Sequence, residues 1–237
     1  MGRITTAHVA GIALIFVLCC LECSNARADE PARVDAAQLC AVKRSLPGHA
    51  WSPRQCQRIS AAFNAQPNPV LFAAIAVNES TLQERAINMA RPSVYDVGLM
   101  QIRCVTPGAV AEGIGPSPSV ASQVAPELAR AARIDGVTPT PRGRCTNGPA
   151  RGLTPKQLLD PDASIRTAAR VLAMHGGRLH RYNGSQEKNG YGSRIAALVA
   201  AFGGELRIPR GVSGKQWARV RELCRRIVEA IGKERRS

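Results

Sequence analysis

The sequence is poor in aromatic side chains and carries few acidic ones. Phe, Trp and Tyr make up only 4 % of the 237 residues, so the core must be mostly aliphatic and rich in alanine. Hydrophobic residues nevertheless make up 45 % of the chain, which suffices for one large domain or one domain with appendages. The sequence contains no internal repeat and no low-complexity tract.

Several patterns that mark common enzyme classes are also missing. After residue 28 there is no Cys-x-x-Cys motif, and His49, His175 and His180 have no partners at the spacing of metal ligands. The chain lacks the Gly-x-Ser-x-Gly motif of many hydrolases and the glycine-rich loop that binds phosphate. We therefore expect neither a metal nor an organic cofactor.

The N-terminus is typical of an export signal. Arg3 supplies a positive charge, Val9 to Leu21 is apolar, and the small residues around Arg27 fit a cleavage site. We predict a signal peptide over residues 1–28 and a location in the periplasm, the cell envelope or outside the cell. The alternatives are an uncleaved anchor and a lipoprotein. The apolar stretch is shorter than the ~20 residues of a spanning helix, which argues against the anchor.

Basic residues outnumber acidic ones, with 32 Lys and Arg against 17 Asp and Glu, and the net charge is +15. An exported protein with this charge favours anionic partners such as cell-wall polymers or lipid headgroups. Nucleic acid binding fits the charge alone, but the predicted leader argues against it.

Five of the eight cysteines follow the predicted leader. Export makes disulfides plausible, but sequence alone cannot choose among the possible pairings. We favour Cys40–Cys56 and Cys104–Cys145, because each pair closes a local loop, which leaves Cys224 unpaired.

The main domain is predicted over residues 63–205 and is mainly helical. Asn68 and Pro69 can begin a helix over Val70 to Glu79, which is apolar nearly all round and is expected to be the buried central helix. Residues 86–103 combine β-branched residues with turn formers and predict a small hairpin.

The second half of this domain begins with a long surface excursion. Residues 104–157 are rich in proline, and a helix around Ser122 to Arg133 is expected within them. Helical patterns then resume over residues 158–176, capped by Asp160 or Asp162, and again over residues 192–202.

Helical segments flank the main domain on both sides. Residues 29–62 form a predicted N-terminal helical region, and residues 206–237 form a basic amphipathic helix. The apolar face of the second segment either packs on the domain or contacts an anionic wall or membrane surface.

Four short motifs occur in order, and each is weak alone. They are Glu79-Ser80, YDVGLMQI at residues 95–102, LLDPDASI at 158–165, and RYNGS with a further tyrosine at 181–195. Together they resemble the lysozyme-like lytic transglycosylases, which cut peptidoglycan glycan strands, and they are similar to members associated with secretion or conjugation machines. The matching positions are Glu79, Ser80, Gly98, Leu99, Met100, Gln101, Tyr182, Asn183 and Tyr191.

The resemblance implies an α+β lysozyme-like fold. A central buried helix carries the catalytic glutamate, beside a small β-hairpin region and a helical second lobe. The sequence departs from the family pattern in its early Gly184, in Arg181 where a small residue is usual, in Arg103 where many relatives have Asn, and in its long excursion.

The chemistry of Glu79 agrees with this resemblance. Cleaving a glycosidic bond needs an acid that protonates the leaving oxygen, and a free glutamate with a pKa near ~4.3 is ionised at neutral pH. Apolar surroundings raise a carboxyl pKa, as they do for the catalytic glutamate of lysozyme. Glu79 follows an apolar run, so it is a candidate general acid and then base.

Asp96 is the candidate partner carboxylate. It could stabilise an oxocarbenium-like transition state or act as a nucleophile, as in retaining glycosidases; the alternative is a turn-capping residue. The choice between hydrolysis and closure of a 1,6-anhydro ring therefore stays open at this point.

The other matching residues have roles implied by the resemblance. Tyr182 is expected to orient Glu79 through its hydroxyl, and Asn183 to shape the adjoining loop. Gly98 is expected to let glycan approach the backbone, and Leu99, Met100 and Gln101 to contribute to the sugar cleft. Ser80 either bonds near the acid or caps local backbone, and Tyr191 either contacts substrate or lies in the core.

The predicted function is a peptidoglycan lytic transglycosylase that cleaves the MurNAc–GlcNAc β-1,4 bond. The nearest alternative is a muramidase that hydrolyses the same bond with Glu79 and Asp96. An alternative from another class is a non-catalytic peptidoglycan-binding or assembly protein. Partners expected from the resemblance are glycan strands and a secretion or conjugation apparatus.

Overall fold

The helices begin at residues that the sequence marks locally. The computed structural model describes residues 32–91, 94–106, 143–182 and 190–236. Proline occupies the first turn of four helices, where its missing N–H has no partner to lose. Those four are α2 (Pro53–Asn64), α3 (Pro69–Ser80), α4 (Pro155–Leu158) and α5 (Pro161–Met174).

Three predicted features lie outside the described residues. They are the signal peptide at 1–28, the helix around Ser122 to Arg133, and the loop residue Asn183. Among the described helices, none is long and apolar enough to span a membrane.

Side-chain caps complete the starts of the helices. Asp35 accepts a hydrogen bond from the Gln38 backbone at the start of α1 (Ala36–Ser45). Ser52 caps α2 in a reciprocal capping box with Gln55. Such caps satisfy backbone N–H groups that have no partner inside the helix.

Two cap predictions have different outcomes. Asp160 caps α5 through the Ala163 backbone N–H, at 3.0 Å, as predicted. Asn68 stands at the start of α3, but its side chain makes no capping hydrogen bond. That start therefore relies on Pro69 and on burial of the helix.

Helix α3 is the centre of the core. Every residue from Phe72 to Val77 is buried, as the apolar run predicted. It packs against α2 and against α7 (Tyr191–Phe202), which contributes Ile195 and Leu198 to the same core. Glu79 thus lies in the last turn of a helix that is enclosed on several sides.

The region after α3 forms a small antiparallel sheet rather than a simple hairpin. Its strands β1 (Ile87–Arg91), β2 (Val94–Val97) and β3 (Ile102–Val105) follow one another in order. Asp96 lies at the centre of β2 and pairs with Arg103 on β3. The mainly helical fold with a small sheet, implied by the resemblance, is confirmed.

The segment after the sheet returns the chain to the helical part. It contains a 3₁₀ turn (Gly148–Ala150), followed by α4 and α5, and then α6 (Leu179–Tyr182). Helix α5 packs against α2, α6, β3 and the 3₁₀ turn. This packing sets α5 and α6 beside the sheet.

The C-terminal helix α8 (Lys215–Glu234) packs on the domain. Its apolar face contacts α1 and α7. Arg226 donates a hydrogen bond of 2.9 Å to the Ser45 carbonyl at the end of α1. The first of the two predicted placements of this face is therefore the observed one. The buried residues of the helix are Trp217, Val220, Leu223, Cys224, Ile227, Ala230 and Ile231.

The two favoured disulfides are both present. Cys40–Cys56 joins α1 to α2, and Cys104–Cys145 joins β3 to the segment before the 3₁₀ turn. Cys224 is free and buried in the core, and burial raises the pKa of its thiol to about 11. A thiol with this pKa is largely protonated at neutral pH and is a poor nucleophile.

Candidate active site

A cleft of about 230 Å³ lies where α3, the sheet and the α5–α6 segment meet. Glu79 lies in it, together with Asp96 from β2 and Tyr182 from α6. The rest of the lining mixes polar, apolar and basic side chains. Its members are Gln101, Ile102, Arg103, Asn147, Gly148, Pro149, Ala150, Val171, Met174, His175 and Arg181.

Both hydrogen bonds to the Glu79 carboxyl reach the same oxygen. The Tyr191 hydroxyl donates to Oε1 at 2.6 Å, and Asn78 Nδ2 donates to Oε1 at 3.2 Å. Oε2 accepts no hydrogen bond from the residues that the structure describes. When Glu79 is protonated, the proton therefore belongs on Oε2, because Oε1 is already accepting.

The environment of Glu79 raises the pKa of its carboxyl. Burial is the largest cause, since it disfavours the charged form. The hydrogen bonds from Tyr191 and Asn78 and the charge of Arg219 lower this pKa, while the negative charge of Asp96 raises it. Because the pKa remains raised, Glu79 can hold a proton closer to neutral pH than an exposed glutamate can.

The contact expected from Tyr182 is made by Tyr191. The Tyr182 hydroxyl donates instead to the Met100 carbonyl, at 2.8 Å, and so ties α6 to the turn after β2. Tyr191 is fully buried at the start of α7, which packs directly on α3 and so brings its hydroxyl to Glu79. This corrects the expected orienting role of Tyr182.

Two arginines that the motifs did not indicate interact electrostatically with Glu79. The Arg194 guanidinium lies 5.7 Å from the centre of the Tyr191 ring, one turn along α7, and Arg194 is buried. Arg219 on α8 donates to the Asn78 carbonyl at 3.1 Å. Arg219 comes from a helix far along the chain, so no local sequence signal could have revealed its contact with Asn78.

Ser80 has a structural role and is not placed for substrate binding. It is buried, and its hydroxyl lies 2.7 Å from the Leu99 carbonyl and 3.0 Å from the Ala76 carbonyl. It also accepts a hydrogen bond from the Gln83 backbone. Ser80 therefore joins the end of α3 to the Gly-Leu-Met turn through backbone groups, which is the second of its two expected roles.

The Gly-Leu-Met turn packs against the LLDPDASI motif. The Met100 backbone donates to Ser164 Oγ at 3.1 Å, and a Cβ on Gly98 would lie 2.1 Å from the Leu158 carbonyl oxygen. Gly98 also has a φ of 77°, which favours glycine. The close approach to Gly98 is thus made by protein backbone, which corrects the expectation that glycan approaches there.

Replacing Gly98 by alanine is expected to lower the free energy of unfolding by about 3 kcal/mol or more, from the steric overlap and the positive φ together. Gly177 is a matched control, since its φ is 76° and a Cβ there meets nothing within 4 Å. Gly177→Ala is expected to cost only about 1–2 kcal/mol. Chemical denaturation of both variants measures the difference, and equal losses would contradict the steric account.

Met100 and Leu99 are fully buried and do not line the cleft. Met174, at the end of α5, is 57 % exposed and lines the cleft. It therefore offers the apolar surface that was expected from Met100. Gln101 does line the cleft, but its amide donates to the Gly98 and Ala86 carbonyls. Gln101 therefore supports the turn and presents only part of its surface to the cleft.

Asp96 shares the cleft with Glu79. Its side chain is mostly buried, and Oδ1 accepts a hydrogen bond of 3.1 Å from Arg103 Nε. Arg103 stands directly opposite on β3, so the pair is a cross-strand ion pair. Asp96 is thus a carboxylate in an ion pair with Arg103 that lines the same cleft as Glu79, and not a turn cap.

Backbone in the left-handed region is concentrated around this site. Within the described part of the chain, the non-glycine residues with positive φ are Thr81, Leu82 and Gln101. The first two directly follow the last turn of α3, and the third follows the buried Gly-Leu-Met turn. Such conformations persist only where the surrounding structure enforces them.

The raised pKa of Glu79 has a consequence for stability. A carboxyl whose pKa is higher in the folded than in the unfolded protein contributes stability at pH values below its unfolded pKa, near 4.5. This contribution is lost as the pH rises through the folded pKa. The Tm of Glu79→Gln relative to wild type is therefore expected to increase from pH 4 to pH 8.

Glu222 provides a control of opposite sign for this prediction. Hydrogen bonds from Arg225 and Arg226 lower the pKa of its exposed carboxyl to about 2. Its contribution is present above the unfolded pKa and disappears as pH falls, so Glu222→Gln should lose stability mainly at neutral pH. Thermal unfolding across this range measures both slopes, and a flat difference for Glu79→Gln would contradict the burial account.

Residues 58–132 match the family model described as the Transglycosylase SLT domain. The matched segment includes Glu79, Asp96 and the Gly-Leu-Met-Gln turn, and it ends before both tyrosines. The resemblance to lysozyme-like lytic transglycosylases is thereby confirmed; the similarity to secretion-associated members stays a prediction. No curated protein and no solved structure matches the chain.

Proposed function

We propose that the chain cleaves the MurNAc–GlcNAc β-1,4 bond of peptidoglycan without water; the match of residues 58–132 to the Transglycosylase SLT domain supports this proposal. The product then ends in 1,6-anhydroMurNAc. Glu79 acts first as general acid and then as general base. The reaction as proposed needs neither a metal nor an organic cofactor.

One observation carries this proposal. Glu79 lies in the cleft with a raised pKa, and both of its hydrogen bonds reach Oε1. A proton on Oε2 can therefore be given to substrate without breaking the contacts that hold the side chain. This is the arrangement that a general acid needs.

The first step breaks the bond between C1 of MurNAc and the bridging oxygen. Glu79 Oε2 donates its proton to that oxygen, which leaves as the 4-hydroxyl of GlcNAc. The bonding electrons go with the oxygen, so C1 acquires oxocarbenium character. Asp96 can stabilise this positive charge, because it supplies a carboxylate in the same cleft.

The second step closes the ring. The ionised Glu79 takes the proton from the C6 hydroxyl of the same MurNAc, and O6 forms a bond to C1. Glu79 is protonated again at the end, and no water molecule enters the product. Tyr191 supports both steps, since its hydroxyl bonds Glu79 and favours the ionised form between them.

A hydrolase is the second candidate, and Asp96 is the observation that favours it. A second carboxylate in the cleft fits a retaining mechanism in which it becomes the nucleophile. The ion pair with Arg103 weakens this alternative, because it occupies Oδ1 and draws charge from the carboxylate. The two candidates differ in whether one water molecule is added to the cleaved bond.

Purified sacculi test the proposal against a non-catalytic binding protein. The wild-type chain is expected to release soluble muropeptides, measured by liquid chromatography. Binding to sacculi without any release would reject both catalytic candidates and support the peptidoglycan-binding alternative. The proposal also includes an exported location and an association with a secretion or conjugation apparatus. The sacculus assay does not test these two parts.

A further inference from the structure

The cleft contains more basic groups than the reaction uses. Arg103, His175 and Arg181 all line it beside Glu79 and Asp96. Arg103 is engaged, because its Nε donates to Asp96 at 3.1 Å. The Arg181 guanidinium, in contrast, makes no hydrogen bond or ion pair with any part of the chain that the structure describes, and Arg181 is exposed.

Among the described residues that line the cleft, none compensates the charge of Arg181. Asp96 and Arg103 neutralise each other, and a protonated Glu79 carries no charge. A single unmatched guanidinium in a concave site attracts anions, because low-dielectric walls focus its field. The positive wall of the cleft is therefore formed by Arg181 on α6.

The backbone at Arg181 lies next to an anchored residue. The next residue, Tyr182, anchors α6 through its hydrogen bond to the Met100 carbonyl, at 2.8 Å. Met174 ends α5, which packs on α6, and it presents an exposed apolar side chain to the same cleft. This wall thus offers one cationic group and one apolar surface to a bound molecule.

The substrate has few groups that could use such a wall. The sugar hydroxyls and acetamido groups of the glycan strand are neutral. Carboxylates are carried only by the muramic acid units, on the lactyl ether where the peptide is absent and on the stem peptide where it is present. A guanidinium recognises a carboxylate through paired, charge-assisted hydrogen bonds.

We propose that Arg181 binds a carboxylate carried by the muramic acid unit, and so makes the cleft selective for muramic-acid strands over uncharged glycans. This inference rests on the proposed function, and it adds a specificity determinant to the same site. Met174 contributes apolar contact beside the carboxylate, where the lactyl methyl or the aliphatic part of a stem residue would lie.

The proposal is tested by measuring the affinities of three ligands of equal sugar number by calorimetry. All measurements use the full chain with the substitution Glu79→Gln, which prevents turnover. The ligands are a peptide-bearing strand, the same strand freed of its peptides by an amidase, and chitohexaose, which has no carboxylate. Arg181→Ala is compared with Arg178→Ala, because Arg178 is exposed three residues earlier and does not line the cleft.

Arg181→Ala is expected to raise the Kd for a muramic-acid strand about fivefold, because a partly exposed ion pair typically contributes an effect of this size. The Kd for chitohexaose should not change. A loss confined to the peptide-bearing strand identifies a stem carboxylate, and a loss confined to the peptide-free strand identifies the lactyl carboxylate. Arg178→Ala should change none of the three.

Two results would overturn the inference. One is an equal loss of affinity for all three ligands, which would show that the substitution disturbs the packing of the cleft in general. The other is an unchanged affinity for both muramic-acid strands. Failure of the proposed function is separate, because it would appear as absence of muropeptide release by the wild-type chain whatever the affinities are.

Discussion

Glu79→Gln is expected to lower the rate of muropeptide release from sacculi about 10²- to 10⁴-fold, the range contributed by a positioned general acid or base. The amide has no proton to give to the leaving oxygen and cannot take one from the C6 hydroxyl. Its oxygen can still accept from Tyr191 and Asn78, so the fold around the site should persist. Release of products at fixed enzyme concentration measures the loss.

Glu229→Gln is the matched control for this result. Glu229 is an exposed glutamate on α8, paired with Arg225 and distant in sequence from the cleft residues. Its substitution removes a carboxylate by the same chemical change and is expected to leave the rate unchanged. Substantial activity in Glu79→Gln, or an equal loss in both variants, would remove Glu79 from the mechanism.

Tyr191→Phe is expected to lower kcat about 10- to 100-fold, because a hydrogen bond to a charged group contributes about 1.5–3 kcal/mol. The hydroxyl bonds Glu79 at 2.6 Å and stabilises its ionised form between the two steps. Since this bond lowers the pKa of Glu79, its removal should raise that pKa further. The alkaline limb of the pH–rate profile should then move to higher pH.

Tyr182→Phe separates this role from a structural one. Tyr182 bonds the Met100 carbonyl, so its variant should lose about 1 kcal/mol of stability and leave the alkaline limb in place. Kinetics across pH compare the two variants. If Tyr182→Phe moves the alkaline limb and Tyr191→Phe does not, the assignment is reversed and Tyr182 is the residue that acts on Glu79.

The local parts of the fold could be predicted from sequence because their causes are local. Pro69 and the apolar run after it predict helix α3, and Asp160 caps α5 as expected. Cys40–Cys56 and Cys104–Cys145 followed from loop length alone. Glu79 was indicated mainly by the resemblance of its motif to a family pattern, and the apolar run before it agreed with that assignment.

The orientation of side chains around Glu79 could not be predicted in this way. Tyr182 and Tyr191 are both tyrosines of the same motif region, and only the packing of α7 on α3 decides which hydroxyl reaches the acid. The Gly-Leu-Met-Gln motif likewise does not show which side of its turn faces the core. Met100 lies inside, and Met174, in no motif, faces the cleft.

The positive charges near Glu79 are a further feature that the motifs do not reveal. Arg194 lies one turn after Tyr191, and Arg219 belongs to the C-terminal helix, yet both influence the site. The amphipathic pattern of α8 correctly predicted a helix, but either placement of its apolar face fitted that pattern. Contact with α1 and α7 assigns this face to the core.

Digestion of sacculi by the wild-type chain in water enriched with ¹⁸O tests the central claim most directly, with mass spectrometry of the released muropeptides. Intramolecular attack by O6 predicts unlabelled products that end in 1,6-anhydroMurNAc and are one water lighter than hydrolysis products. Products with a reducing MurNAc end that carries ¹⁸O would contradict the account, and would assign the chain to the hydrolases.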